Sequence, residues 1–270
     1  MRVTFLGVRG SSAASGADYC KYGGHTSCVA VSAGSSDPPT LLLDAGTGLP
    51  EAGRLLSGKP FDGSILLSHL HWDHVNGIPF FPSADREDAR VDMYMPAQLG
   101  RTGEELLAQL MSPPAFPIYP DGLRGAWTFT AMEAGIFAAE GFTVRAVDIT
   151  HKGGRTFGYV LADAHASIAY LPDHAPALGI SDELIGALHG VDVLIHDGQY
   201  LDTERATADA FGHATVADAI SIASQIGAAK LVLTHHSPFR RDEALDELSR
   251  VVGAPFPVVV AHEGLVIDLP

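Results

Sequence analysis

Ser68-His69-Leu70-His71-Trp72-Asp73-His74-Val75-Asn76-Gly77 follows directly on Ser64-Ile65-Leu66-Leu67, a continuous apolar run that reads as a strand buried on both faces. The chain thus delivers His69, His71, Asp73 and His74 to the end of a buried strand, where imidazole and carboxylate are costly without a charge partner. On a strand-to-loop transition His69 and His71 project the same way, and the following turn lets Asp73 and His74 face a second point close by. The spacing suits two neighbouring cations rather than one.

So short a segment cannot close two coordination spheres, so distant strand ends must contribute. Segments of the required form are Thr150-His151 after Val144-Arg145-Ala146-Val147-Asp148-Ile149, Pro172-Asp173-His174 after Ser167-Ile168-Ala169-Tyr170-Leu171, and Thr234-His235-His236 after Leu231-Val232-Leu233. In each, a hydrophobic strand runs straight into His or Asp. Apolar patterning predicts strands at 2–8, 27–33, 40–44, 64–68, 142–149, 157–161, 167–171, 191–196, 230–234 and 257–260. Helices are expected at about 101–111, 181–189, 215–227 and 242–252, the third opened by a capping box of Thr215 with Asp218. Residues 82–90 and the proline-bearing 112–125 read as loops. Strands and helices alternating, with polar residues gathered at strand ends, imply an α/β sandwich whose site sits along one rim. The length of 270 residues is read as one domain.

A net charge of −15 makes a long nucleic acid an awkward partner, whereas a small anion can be held by cations bound to the protein. Cys20 and Cys28 are the only cysteines, too few for a disulfide framework, and a reducing compartment is the simpler reading. The start of the chain has no signal-peptide run and no stretch of 18 apolar residues occurs, so a cytoplasmic protein with no membrane partner is expected.

The order of these segments, with Phe5-Leu6-Gly7-Val8-Arg9-Gly10-Ser11 and Leu43-Asp44-Ala45-Gly46-Thr47-Gly48 ahead of them, resembles the metallo-β-lactamase superfamily over nearly the whole sequence. Within it the resemblance is to ribonuclease Z and related phosphodiesterases. It implies a four-layer αββα sandwich with two divalent metal ions. His69, His71 and His151 would bind one, Asp73, His74 and His235 the other, and Asp173 would bridge them. Zinc is the first choice because imidazole suits it, with manganese or iron as alternatives. Such a pair activates a shared water and clamps both oxygens of an in-line displacement.

Phe211-Gly212-His213-Ala214-Thr215 resembles the His-x-Thr element of those phosphodiesterases and implies that His213 is a general acid or a donor to a phosphate oxygen. The family pattern has a Glu upstream to orient that histidine. Here the stretch is Ile195-His196-Asp197-Gly198-Gln199, so Asp197 would have to serve. His213, Asp197 and Asp73 are the candidate catalytic residues, Asp73 counting also as a ligand. The plainer alternative for His213 is a helix-start residue facing solvent.

Smaller expectations attach to other positions. Asp44 either accepts the second nitrogen of a metal-bound histidine or makes a turn before Gly46. His174, His196 and His236 adjoin candidate residues, but alternation along extended chain turns most of them elsewhere. His25 reads as a turn residue. Lys152 and Arg155 either hold a phosphate oxygen or form a solvated pair, and Trp72, Phe80 and Phe81 either wall the pocket or pack.

The favoured function is a phosphodiesterase on a small or cyclic phosphodiester, such as a cyclic nucleotide or a ribose cyclic phosphate. An RNA endonuclease ranks second, because no long basic arm is present and 112–125 has only Arg124 as a cation. Hydrolysis of a lactone, thioester or β-lactam on the same fold comes third, and a non-enzymatic metal-binding protein last. The additional Cys and His cluster of phosphonate-pathway cyclic phosphodiesterases is missing. Many members of the superfamily dimerise, but no patch in the sequence argues for a homodimer.

Overall fold

The computed structural model describes residues 1–270. Its strands are β1 (Arg2–Gly7), β2 (Cys28–Ser32), β3 (Leu41–Leu43), β4 (Asp62–Leu66), β5 (Arg90–Pro96), β6 (Ala126–Met132), β7 (Gly135–Ala139), β8 (Phe142–Ile149), β9 (Thr156–Ala162), β10 (Ser167–Leu171), β11 (Val193–Asp197), β12 (Leu231–Thr234), β13 (Val258–Val260) and β14 (Val266–Asp268). They form two seven-stranded sheets of order β14-β1-β2-β3-β4-β5-β6 and β13-β12-β11-β10-β9-β8-β7. The helices are α1 (Ala52–Leu55), α2 (Trp72–Val75), α3 (Gly103–Ala108), α4 (Asp182–Leu188), α5 (Arg205–Phe211), α6 (Val216–Ile226) and α7 (Asp242–Val251).

Alternation along each strand sends side chains to two different cores. Val3, Phe5, Leu41, Leu43 and Leu66 of the first sheet meet Phe157, Tyr159, Ile168 and Ile195 of the second in the layer between the sheets. The intervening residues Leu42, Ile65 and Met93 pack outward with Leu49, Leu106 and Leu107. On the far side Ala169, Leu194 and Leu233 pack against Leu184, Ile222, Ile226 and Leu245 of α4, α6 and α7. The result is the helix–sheet–sheet–helix arrangement implied by the resemblance. Burial on both faces is why several strands read as unbroken apolar runs.

Helix α6 shows how local chemistry sets an element. Thr215 accepts from the Asp218 amide while the Asp218 carboxylate accepts from the Thr215 amide at 2.9 Å, the reciprocal cap expected from sequence. From there Ala219, Ile222, Ala223 and Ile226 form the i, i+3, i+4, i+7 stripe that the second sheet covers, and Gly227 ends the helix in a left-handed conformation.

Several expectations need correction. The helix placed at 101–111 is the shorter α3, because Thr102 and Glu105 make a capping box that fixes its start. Strands β5, β6, β7 and β14 were not expected. Arg90 and Asp92 interrupt the apolar pattern of β5, and β6 and β7 are edge strands whose half-exposed alternation gives a weak signal. The pair β7–β8 is a hairpin whose two-residue loop, Glu140-Gly141, has φ of 49° and 84°, the mirror-image turn that suits a right-twisted ribbon. Helix α5 buries only Ala208, so no apolar stripe announced it. Cys20 and Cys28 are both free, the first exposed and the second buried. No helix is long and apolar enough to cross a membrane.

Strand direction decides where polar residues collect. In the first sheet β1, β3 and β4 run the same way, since β2 is antiparallel to both β1 and β3 while β3 and β4 are parallel. In the second sheet β8, β10, β11 and β12 share a direction, β9 being antiparallel to both β8 and β10. An isolated parallel bridge between Arg9 and His236 ties the chain beyond β1 to the chain beyond β12. The carboxyl ends of these strands, and of β5, β6 and β13 parallel to them, therefore open on one rim, the usual place for ligands in such sheets.

Candidate metal centre

The loops after β4, β8, β10 and β12 bring His69, His71, Asp73, His74, His151, Asp173 and His235 to that rim. Donor atoms of His69, His71, His151 and Asp173 lie within 4.8 Å of one another, as do those of Asp73, His74, Asp173 and His235. Asp173 belongs to both groups. Its Oδ2 is 3.3 Å from Nε2 of His69 and of His151, and its Oδ1 is 2.8 Å from Nε2 of His235. Asp73 Oδ2 stands 3.3 Å from His74 Nε2 and 3.2 Å from His235 Nε2. The distances thus gather the seven side chains into two groups that share Asp173.

The donor set fits a pair of divalent cations. His69 Nε2, His74 Nε2 and Asp173 Oδ1 are buried without a hydrogen-bond partner, and all three belong to the cluster. Buried polar atoms are seldom left so, and imidazole with carboxylate is a donor combination for zinc or a related metal.

Four of these side chains, His74, His151, Asp73 and His235, are held from behind. Asp44, at the end of β3 with φ 58°, accepts from the Ser68 amide at 2.7 Å, from the Ser68 and Tyr170 hydroxyls at 2.8 Å each, and from His74 Nδ1 at 2.7 Å. It is therefore the acceptor for the imidazole of His74, and the hydroxyl of Tyr170 reaches it across the layer between the sheets. His151 Nδ1 donates to the Gly212 carbonyl at 2.7 Å, and the Ser11 amide donates to Asp73 Oδ2 at 2.6 Å. His235 has φ 58°, and a Cβ built on Gly10 would stand 2.3 Å from its Nδ1, so only glycine leaves room for that ring. The Gly212 carbonyl, the Ser11 amide and Gly10 carry no side-chain signal, which is why sequence reasoning passed over them.

Asp44→Asn should lower metal affinity by about 10- to 100-fold, the usual effect of losing the carboxylate behind a ligand imidazole. Competition against a chromophoric chelator reads this directly, and an unchanged affinity would remove Asp44 from the centre.

Electrostatics separate the two groups. Burial and the neighbouring His74 pull His69 down to about 4, and burial, opposed by Asp173, pulls His151 to about 4, so both offer neutral imidazoles. Burial works against charge at His235 too, but the Asp173 carboxylate, 2.8 Å away, raises it to about 10. His74, buried among Asp73, Asp173 and Asp44, is likewise held well above the usual histidine value. In the metal-free protein these two rings carry protons where a cation would sit.

The sign follows from that occupancy. Between the ordinary histidine value of 6.5 and about 10 the folded, metal-free chain keeps a proton on His235 that a free imidazole would have lost, and metal must displace it. Affinity at that group therefore rises with pH across the window, and loading near pH 8 should release about two protons, one each from His235 and His74. Titration calorimetry in two buffers of different ionisation enthalpy counts them, and a count of zero would contradict the assignment.

His213 is buried beside the centre rather than facing solvent as a helix-start residue would. Its ring lies 5.3 Å from that of His235, stacked, and 5.0 Å from that of His151. Asp197, the last residue of β11, sits 3.0 Å from His213 Nδ1 and also accepts amides from His174, Gln199 and Ala214. With Nδ1 committed to that carboxylate, Nε2 is the atom left for the cavity that His213 lines with His71, Asp73, His151 and Asp173.

The remaining candidates fall elsewhere. His174 Nδ1 is 3.0 Å from His196 Nε2 behind the centre, and His236 Nε2 donates to the Ala261 carbonyl at 2.9 Å. His25 is a backbone partner, its carbonyl accepting from Val8 and Arg9. Neither Lys152 nor Arg155 lines the cavity: the first is engaged by the Ala210 carbonyl, the second by Asp148 and Glu133. Their charges are engaged away from the cavity, which fits the solvated-pair alternative. Phe81 is core, packed 5.3 Å from Phe61, whereas Trp72 walls the metal cavity and Phe80 an adjoining one.

Comparison with known proteins places this geometry. A family model described as Beta-lactamase superfamily domain matches residues 40–236. A ribonuclease Z of Nocardia farcinica is 28% identical over 258 residues, covering 76% of this chain and 80% of its own. Among solved structures, the metallo-β-lactamase fold protein YhfI of Bacillus subtilis superposes with a TM-score of 0.74 at 20% identity, covering 99% of both chains. The short form of human tRNase Z superposes with a TM-score of 0.67 at 22% identity, covering 100% of both.

Proposed function

Since the chain belongs to the beta-lactamase superfamily, we propose that it is a metal-dependent phosphodiesterase acting on a small phosphodiester, such as a cyclic nucleotide or a ribose cyclic phosphate, with zinc as its metal. The observation that carries this reading is His213, buried against His151 and His235 with its Nδ1 on Asp197. An alkoxide leaves readily only when protonated, whereas a thioester, whose thiolate departs unprotonated, needs that help less. The curated relative named as a ribonuclease Z supports the same bond type.

Two divalent cations, when bound, neutralise phosphoryl charge and make water a nucleophile at neutral pH. The protein's own groups do the rest. Asp173 and Asp73 hold the imidazole donors in register, with Asp44, the Ser11 amide and the Gly212 carbonyl fixing them in turn. His213 passes the proton on Nε2 to the leaving oxygen. Asp197, held below the usual carboxylate range by His213 against the effect of its burial, orients the ring that donates it.

RNA is the weaker alternative, because no lysine or arginine lines the cavity and the chain carries a net charge of −15. Zinc-loaded protein assayed on cyclic nucleotides and bis-p-nitrophenyl phosphate, beside a 3′-extended precursor tRNA and a lactone, separates the readings. Turnover is expected on the small phosphodiesters. Rates no higher than those of a His69→Ala control would overturn the proposal.

A further inference from the structure

The cavity in front of the metal cluster measures about 810 Å³, far more than a phosphodiester group fills and within the usual range for small-molecule sites. Without a cation in its wall, it has little to hold a second phosphate. What its mouth carries instead is aromatic. Trp72, Phe211 and Phe239 line it and are 71%, 62% and 87% exposed. The one other phenylalanine or tryptophan among the exposed large hydrophobics, Phe80, lines an apolar cavity of about 320 Å³ that meets the first at Leu110. Single exposed apolar residues are ordinary, but three of the five exposed aromatic rings, Phe80 and Tyr119 being the others, line this one cavity and mark a recognition surface.

Their places in the chain tie these rings to the centre. Trp72 lies between His71 and Asp73, Phe211 two residues before His213, and Phe239 four residues after His235. These rings line the same cavity as the metal cluster, and every nucleobase presents a π-face that stacks on an aromatic ring without regard to its sequence identity.

We propose that Trp72, Phe211 and Phe239 are specificity-determining stacking platforms, and that they select a singly charged phosphodiester bearing planar, uncharged groups of nucleobase type. This rests on the phosphodiesterase reading and narrows its substrate. Phe211, on the same segment as His213, serves the leaving-group side. Trp72 and Phe239 serve the group that stays on phosphorus.

Two esters with one leaving group test this: thymidine 5′-(p-nitrophenyl phosphate) and ethyl p-nitrophenyl phosphate, assayed with the zinc-loaded protein. Trp72→Ala/Phe239→Ala should raise KM for the thymidine ester about fivefold or more, leaving kcat, metal content and both constants for the ethyl ester within about twofold. Trp72→Phe/Phe239→Tyr should restore the wild-type KM. Phe211→Ala should raise KM for both esters alike, because the nitrophenyl ring is common to them. Independently of turnover, thymidine 5′-phosphate should quench a fluorescence component that Trp72→Phe lacks. If the wild type cleaves neither ester, the phosphodiesterase reading has failed and takes the proposal with it. If it cleaves both and the double variant treats them alike, stacking alone is overturned. A change of sedimentation coefficient in the double variant would assign the rings to a subunit interface and overturn it equally.

Discussion

Asp173→Ala is expected to abolish turnover, with a fall of about a thousandfold or more and metal content dropping from two equivalents towards one or none. Asp173 is the only side chain common to both donor groups, and it approaches His69, His151 and His235 with one or other oxygen. Removing it leaves each group short of an anionic donor and leaves the cations to repel one another unscreened. The Lewis-acid contribution at stake is several kcal/mol, and roughly 4 kcal/mol corresponds to the stated factor. Elemental analysis beside steady-state rates checks it. A variant retaining two equivalents and activity within tenfold would show that some other group joins the halves.

The same cluster links cation occupancy to stability, because its ligands come from both sheets. His69, His71, Asp73 and His74 follow β4 of one, while His151, Asp173 and His235 follow β8, β10 and β12 of the other. A ligand in thousandfold excess over its Kd stabilises the native state by about 4 kcal/mol, which for a chain of this size is a Tm shift of roughly 10 °C. Chelation should lower Tm by that order.

His213→Ala carries the second large effect, and its dependence on the leaving group is the informative part. If Nε2 donates to the departing oxygen, cyclic nucleotides, whose leaving group is an alkoxide, should lose about 10²- to 10⁴-fold in kcat. Nitrophenyl esters should lose far less, since nitrophenolate departs at neutral pH without a proton. Metal content should not change, because the seven donors are intact. Asp197→Asn should fall between, as His213 loses its ionised partner at 3.0 Å but keeps its place. An equal loss on both substrate types would make His213 a phosphate-holding group instead.

Much of the fold was legible because β2, β4, β11 and β12 are buried at nearly every position and read as apolar runs leading to His, Asp or Ser at or just beyond their ends. What could not be read lies at the edges. Charged Arg90 and Asp92 disguise β5, and β6 and β7, each paired on one side only, keep half their residues near solvent. The donor residues were visible one by one at strand ends, but which strands share a direction is a property of pairing. The supports were least visible. A carbonyl at Gly212 or an amide at Ser11 exists at every residue, and only the folded path selects those. Phe211 and Phe239 gave no periodic signal either, since neither belongs to a buried stripe.

The left-handed turn at His235 has a consequence apart from chemistry. With φ at 58° the backbone there tolerates glycine and asparagine and penalises any β-branched replacement, whatever occupies the centre. Drift at this position is filtered first by conformation and only afterwards by catalysis. A lineage that discards the activity should therefore keep position 235 within a narrow vocabulary long after its other donors have diverged.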